Sequence, residues 1–102
     1  MKPTDTVLLT ATYHPKPGYE KEFLSLWDAK VKPLAMKYGA DWASIYHNEE
    51  TEEFLSSSHW PERAHADNFL EDESYHKALK ELNKLSLIPP SKAFYEFLRE
   101  AA

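Results

Sequence analysis

Cysteine is absent from the 102 residues of this chain, which excludes disulfides, thiolate metal sites and cysteine nucleophiles together. Glycine occurs only twice, too seldom for a glycine-rich nucleotide-binding fingerprint. Long hydrophobic runs are also missing: none approaches the roughly 20 apolar residues that a membrane helix needs. Met1-Lys2-Pro3-Thr4-Asp5 leads directly into a strand pattern without the apolar core of a signal peptide, so a cytoplasmic protein is the expectation. Basic residues number 12 against 17 acidic ones, for a formal net charge of −5. With no basic stripe, electrostatic capture of nucleic acid or of an anionic membrane surface is disfavoured. What is present is 42% hydrophobic and 14% aromatic residues, enough for one domain spanning residues 1–102, with its core at about 6–98. A chain this short gains proportionately little from burial, so self-association would help it.

The pattern changes from strand to helix twice. Thr6 to His14 is rich in β-branched and aromatic types, with Val7, Leu9, Ala11 and Tyr13 on one side. Pro15 and Pro17 stop this strand and Gly18 turns the chain. Tyr19, Phe23, Leu26, Trp27, Val31, Leu34 and Tyr38 then recur at helical steps up to Gly39. Pro33 lies inside this stretch, where it removes a backbone donor and crowds the preceding turn, so a kink or an early end is expected near Lys32. Trp42 to Asn48 and Glu53 to His59 flank a polar tetrapeptide and alternate as a hairpin. One side of it is expected to carry Trp42, Ser44 and Tyr46 with Phe54, Ser56 and Ser58, and the other Ala43, Ile45 and His47 with Leu55, Ser57 and His59. A second helix is expected from Pro61 to about Glu71, a third capped by Asp72 with Tyr75, Ala78, Leu79, Leu82 and Leu85 inward, and a last strand over Lys92 to Leu98 followed by a short tail. This order is that of an α+β, ferredoxin-like split βαβ fold with a four-stranded antiparallel sheet.

The strand, the run His14-Pro-Lys-Pro-Gly-Tyr-Glu-Lys-Glu-Phe23, the helix ending at Gly39, the hairpin, Trp60-Pro-Glu-Arg-Ala-His65 and Phe69-Leu-Glu-Asp-Glu-Ser-Tyr75 together resemble the antibiotic biosynthesis monooxygenase family of dimeric α+β barrels. The resemblance implies a homodimer whose two sheets face each other, helices outside, and a pocket in each subunit between helices and sheet. It also implies activities that range from cofactor-free oxygenation of quinols and polyketide aromatics to haem breakdown, or none. The haem-degrading pattern requires Asn, Trp and His where this chain has Ala11, Phe69 and Leu79, which speaks against that branch. The cofactor-free branch matches at Trp60, whereas Ser56 and Ala66 stand where it has Asn and Tyr.

Candidate site residues follow from side-chain chemistry. Trp60 either walls a pocket, offering a flat face and an indole donor, or plugs the core. Tyr46, Phe54, Phe69 and Tyr75 share that choice, and Ser56, Ser57 and Ser58 leave volume around them. Among the five histidines, His65 and His76 are candidate bases, with Tyr75 as a hydrogen-bonding partner. His47 and His59 are separated by about 20 Å along the hairpin, and His65 and His76 lack helical zinc spacing, so no metal site is expected. Glu49, Glu50, Glu52 and Glu53 read as a solvated hairpin tip. The expectation is a cofactor-independent monooxygenase acting on a reduced small aromatic molecule of quinol or anthrone type, with no cofactor. A non-catalytic small-ligand-binding or stress-associated dimer stands as the alternative, and so does haem binding without degradation, through His76 or His65. The enzyme requires a cavity of several hundred cubic ångströms. The alternative requires the aromatics to pack shut.

Overall fold

The computed structural model describes residues 6–99. The amino-terminal reading, on residues 1–5, and the tail beyond Arg99 lie outside the described residues. β1 (Val7–Tyr13) buries Val7, Leu9, Ala11 and Tyr13, its expected inward set. Gly18, at φ 92°, makes the turn that a Cβ would strain.

The first helical rod joins α1 (Glu20–Leu26), a π-helical stretch (Trp27–Val31) and α2 (Lys32–Lys37). The early end expected near Lys32 does not occur: the helix changes to a π-turn there and continues to Lys37. Pro33 lies in the first turn of α2, and the widened turn before it carries an N–H bond from Lys32 back five residues to the Trp27 carbonyl. Widening the backbone absorbs the crowding that proline causes in an α-turn, and the rod runs on. Gly39, at φ 111°, ends it; a Cβ there would come within 3.1 Å of His65 Nδ1.

β2 (Trp42–His47) and β3 (Phe54–Trp60) form the hairpin, and β4 (Ser91–Glu96) closes the sheet in the order β2-β3-β1-β4, antiparallel throughout. The register corrects the expected hairpin faces. His47 pairs with Phe54, Ile45 with Ser56 and Ala43 with Ser58, so these share the helix-facing side, while Tyr46 pairs with Leu55 on the outer one. The polar tetrapeptide does form the tip, with the Asn48 N–H on the Glu53 carbonyl at 2.9 Å; the expected faces were matched one residue out of step across it, and such an offset flips every side chain on one strand.

α3 (Arg63–Glu71) and α4 (Glu73–Lys84) complete the helical layer. Asp72 caps α4 as expected, accepting from the backbone N–H groups of Ser74 at 2.6 Å and Tyr75 at 3.2 Å. Its other oxygen accepts from the Tyr38 hydroxyl, which ties the end of the first rod to the start of α4. Phe23, Trp60 and Leu82 are fully buried between the helices and one face of the sheet.

Candidate functional site

Two rows of side chains cross the helix-facing side of the sheet. Lys92, Ala11, Ser56 and Ile45 make one; Phe94, Leu9, Ser58 and Ala43 make the other. Their centres are small: Ala11 and Ser56 adjoin, with Ala43 and Ser58 beside them. The helices lay large aromatics over this shallow floor. Trp27 and Val31 come from the π-helical stretch, Phe69 from α3 and Tyr75 from α4, and Tyr13 closes one end. A cavity of about 20 Å³ remains between floor and roof, room for about one water molecule.

Its polar groups are hydroxyls, one indole N–H and one ammonium, with no carboxylate among them. The Trp27 indole N–H donates to Ser56 Oγ at 2.9 Å. The hydroxyls of Tyr13 and Tyr75 interact with each other. Burial pushes the Tyr13 phenol up to about 12, an effect slightly offset by its bond with Tyr75. The Tyr75 phenol is pushed up further, by burial first and then by the charge and hydrogen bond of Tyr13. Both therefore remain neutral donors in ordinary conditions. The Lys92 ammonium lies 4.8 Å from the centroid of the Tyr75 ring, and loss of solvent lowers its pKa. Lys92 and Ser56 are the lining residues that reach solvent.

Of the residues singled out in the sequence, the structure gathers Ser56, Ser58, Phe69 and Tyr75 around this cavity. Trp60 lies outside it, fully buried, with its indole N–H on Ser58 Oγ at 2.8 Å and its ring against Phe69 at 5.3 Å; it plugs the core. Phe54 is also core, edge-on to Phe23 at 5.5 Å. Tyr46 is 56% exposed on the outer face, because its strand register turns it away. His65 and His76 are exposed on the helices. His65 lies 3.5 Å from Glu62, and a ring nitrogen of His76 contacts the Leu70 carbonyl at 2.7 Å. Each stands one residue from an inward neighbour, Ala66 and Tyr75 respectively, a rotation of about 100° round the helix. They cannot serve this cavity as bases or as axial haem ligands in this arrangement. Among the described residues no cluster of three or more His, Asp or Glu side chains has metal-binding geometry.

Tyr13, Trp27 and Lys92 were not singled out from the sequence as site residues. Tyr13 and Trp27 sit on apolar stripes and read there as ordinary core. Lys92 did carry a signal, being a cation in the inward phase of an alternating strand.

The four-stranded sheet, the split βαβ order and the helices on one face define an α+β, ferredoxin-like protein with an enclosed cavity between its layers. A profile of the antibiotic biosynthesis monooxygenase family matches residues 6–81, and the chain belongs to that family. Similar solved structures include Rv0793 from Mycobacterium tuberculosis, at 20% identity and a TM-score of 0.80, covering 95% of this chain and 99% of the other. A conserved protein from Methanosarcina mazei is similar at 15% identity and a TM-score of 0.76, covering 92% and 94%. SnoaB, a cofactor-independent oxygenase from Streptomyces nogalater, is similar at 12% identity and a TM-score of 0.80, covering 94% and 96%. A search of curated protein sequences gave no significant match. No helix among the described residues is long and apolar enough to cross a membrane.

Proposed function

We propose that this chain is a cytoplasmic, homodimeric, cofactor-independent monooxygenase that oxidises a reduced aromatic of quinol or anthrone type in the cavity beneath Trp27 and Tyr75. The observation that carries the reading is the concentration of neutral donors and flat aromatic faces over a floor of alanine and serine, inside a layer that is otherwise apolar. In the proposed reaction the substrate hydroxyl, or its tautomeric C–H, loses a proton to solvent. The electron-rich anion reacts with oxygen and a C–O bond forms; the hydroperoxide then loses water to leave a quinone. One oxygen atom enters the product and the other leaves as water, and the substrate supplies all the electrons. The protein's part is to orient the ring between Phe69 and Trp27, to exclude water, and to stabilise the oxyanion with the Tyr75 hydroxyl backed by Tyr13. The kinship with a family of monooxygenases and the fold shared with SnoaB support this reading.

A ring system does not fit into about 20 Å³, so the reading requires the helical roof to move. The π-helical turn, which supplies Trp27 and Val31, is the segment to do so, since wide turns of this kind recur at functional sites in helices. The same small cavity favours a second reading, a non-catalytic dimeric binding or stress-associated domain whose aromatics stay packed shut. Oxygen uptake by purified protein against a panel of naphthoquinols and anthrones separates the two. The oxygenase reading expects saturable uptake that falls on the order of 10²-fold in Tyr75→Phe, the usual cost of removing an oxyanion donor. Rates equal to those in buffer across the panel would leave the second reading standing.

A further inference from the structure

The lining of the cavity is unbalanced in charge. It includes one cation, Lys92, and no Asp, Glu or His. Tyr13 and Tyr75 are held neutral, and the Trp27 N–H already has Ser56 as its acceptor. No ion pair joins Lys92 to a carboxylate among the described residues; its ammonium instead rests on the face of Tyr75. A partly desolvated cation without a counter-ion gains from any anion that can reach it. A lining of hydroxyls beside one ammonium, with no carboxylate, can donate to an anionic oxygen and opposes it with no like charge.

We propose that Lys92 is the specificity-determining residue of this pocket, selecting aromatic ligands that carry an ionised oxygen, a phenolate or enolate, over their neutral analogues. This rests on the reading of the cavity as the ligand site. The placement supports it: Lys92 pairs with Ala11 in the sheet, which pairs on its other side with Ser56, so the ammonium stands at one edge of the small-residue floor while the ring lies across it. An anionic oxygen at this edge contacts the ammonium first and keeps the aromatic body beneath Trp27 and Phe69. The cation–π contact with Tyr75 holds the ammonium in place until it is exchanged for the stronger charge pair.

The test is equilibrium dialysis of the full chain against 2-hydroxy-1,4-naphthoquinone, which is ionised at neutral pH, and its neutral methyl ether of nearly the same shape. Wild type should bind the hydroxy compound about tenfold more tightly than the ether, the usual scale for a hydrogen bond to a charged group. Lys92→Met, which keeps the stem and removes the charge, should lose that preference while still binding the ether; Lys92→Arg should keep it. Lys92 is exposed, so these variants are expected to fold. Equal affinity of wild type for both compounds, or a preference that persists in Lys92→Met, overturns the role of Lys92 and leaves the pocket intact. Absence of binding by either compound overturns the role of Lys92 together with the pocket reading beneath it.

Discussion

Tyr75 and Trp60 are both large, buried aromatics with polar tips, yet their tips meet different surroundings. The Tyr75 hydroxyl and the Tyr13 hydroxyl share a cavity rim, whereas the Trp60 indole N–H spends its bond on Ser58 within its own strand. Trp60→Phe should therefore cost stability, on the order of 1–3 kcal/mol for the lost ring volume and the orphaned Ser58 hydroxyl. Activity or ligand binding should change little, and paired denaturant melts and binding assays would check both. A large loss of binding with unchanged stability would contradict the core assignment. His65→Ala is expected to leave oxygen uptake as in wild type, since its ring lies on the outer side of α3. The buried tyrosines also set an alkaline limit. Tyr13 titrates at about 12 in the folded chain against 10.0 when exposed, so the folded state holds its proton more tightly. Its contribution is fully present below pH 10 and lost as pH rises toward 12, a decline of roughly 2–3 kcal/mol. Tyr13→Phe should flatten that alkaline slope in unfolding measured from pH 9 to 12.

Between residues and the whole lie the junctions of elements, and Asp72 governs the most consequential one. Its carboxyl is held below the usual 3.8, first by the Tyr38 hydroxyl, then by the N–H groups of Ser74 and Tyr75 and by the charge of Lys37, against an opposing desolvation. A lowered folded-state value means that the stabilisation is present above pH 3.8 and is lost as pH falls through the lower, folded value. Asp72→Ala should lower the melting temperature at pH 7 by about 5 °C, the scale of losing a helix cap in a chain of this size. The gap from wild type should narrow in melts taken below pH 3. A gap that stays constant with pH would show that the capping charge contributes nothing. Tyr75 lies in the turn that this cap fixes, so the cap also positions the proposed oxyanion donor. At the same scale, Pro33 shows how a local rule can be met by an unforeseen conformation: the chain widened one turn to a π-helix rather than breaking.

For the whole molecule, the helices cover one side of the sheet and leave the other bare. Trp42, Tyr46, Leu55 and Tyr95 are all at least 37% exposed on that outer face, and the register sets Tyr46 beside Leu55 and Leu8 beside Tyr95. These large side chains lie toward the two ends of the face, with Ala93, Thr10, Ser57 and Ser44 in the row between them, and so many exposed aromatic and aliphatic groups on one sheet face mark an interaction surface. We expect sedimentation equilibrium to give twice the chain mass, and the double variant Tyr46→Glu, Leu55→Glu to give the monomer mass. A wild-type chain that sediments as a monomer at micromolar concentration would sink the homodimer.

The amino-acid sequence alone determined the order of strands and helices, the inward stripe of β1, the Asp72 cap and the α+β architecture, because each of these rests on local periodicity or on chemistry a few residues long. It could not settle which aromatics share a cavity. Ser56, Phe69 and Tyr75 were legible as a group because each sits on a clear inward stripe, while Tyr46 was misplaced by a hairpin offset of one residue. His65 and His76 were misplaced by one step of helical phase. Tyr13, Trp27 and Lys92 come from three different elements, and only the packing of the helical layer on the sheet brings them round one cavity. Local patterns fix what each element is; register and helix phase, which are set by long-range packing, decide which side chains meet.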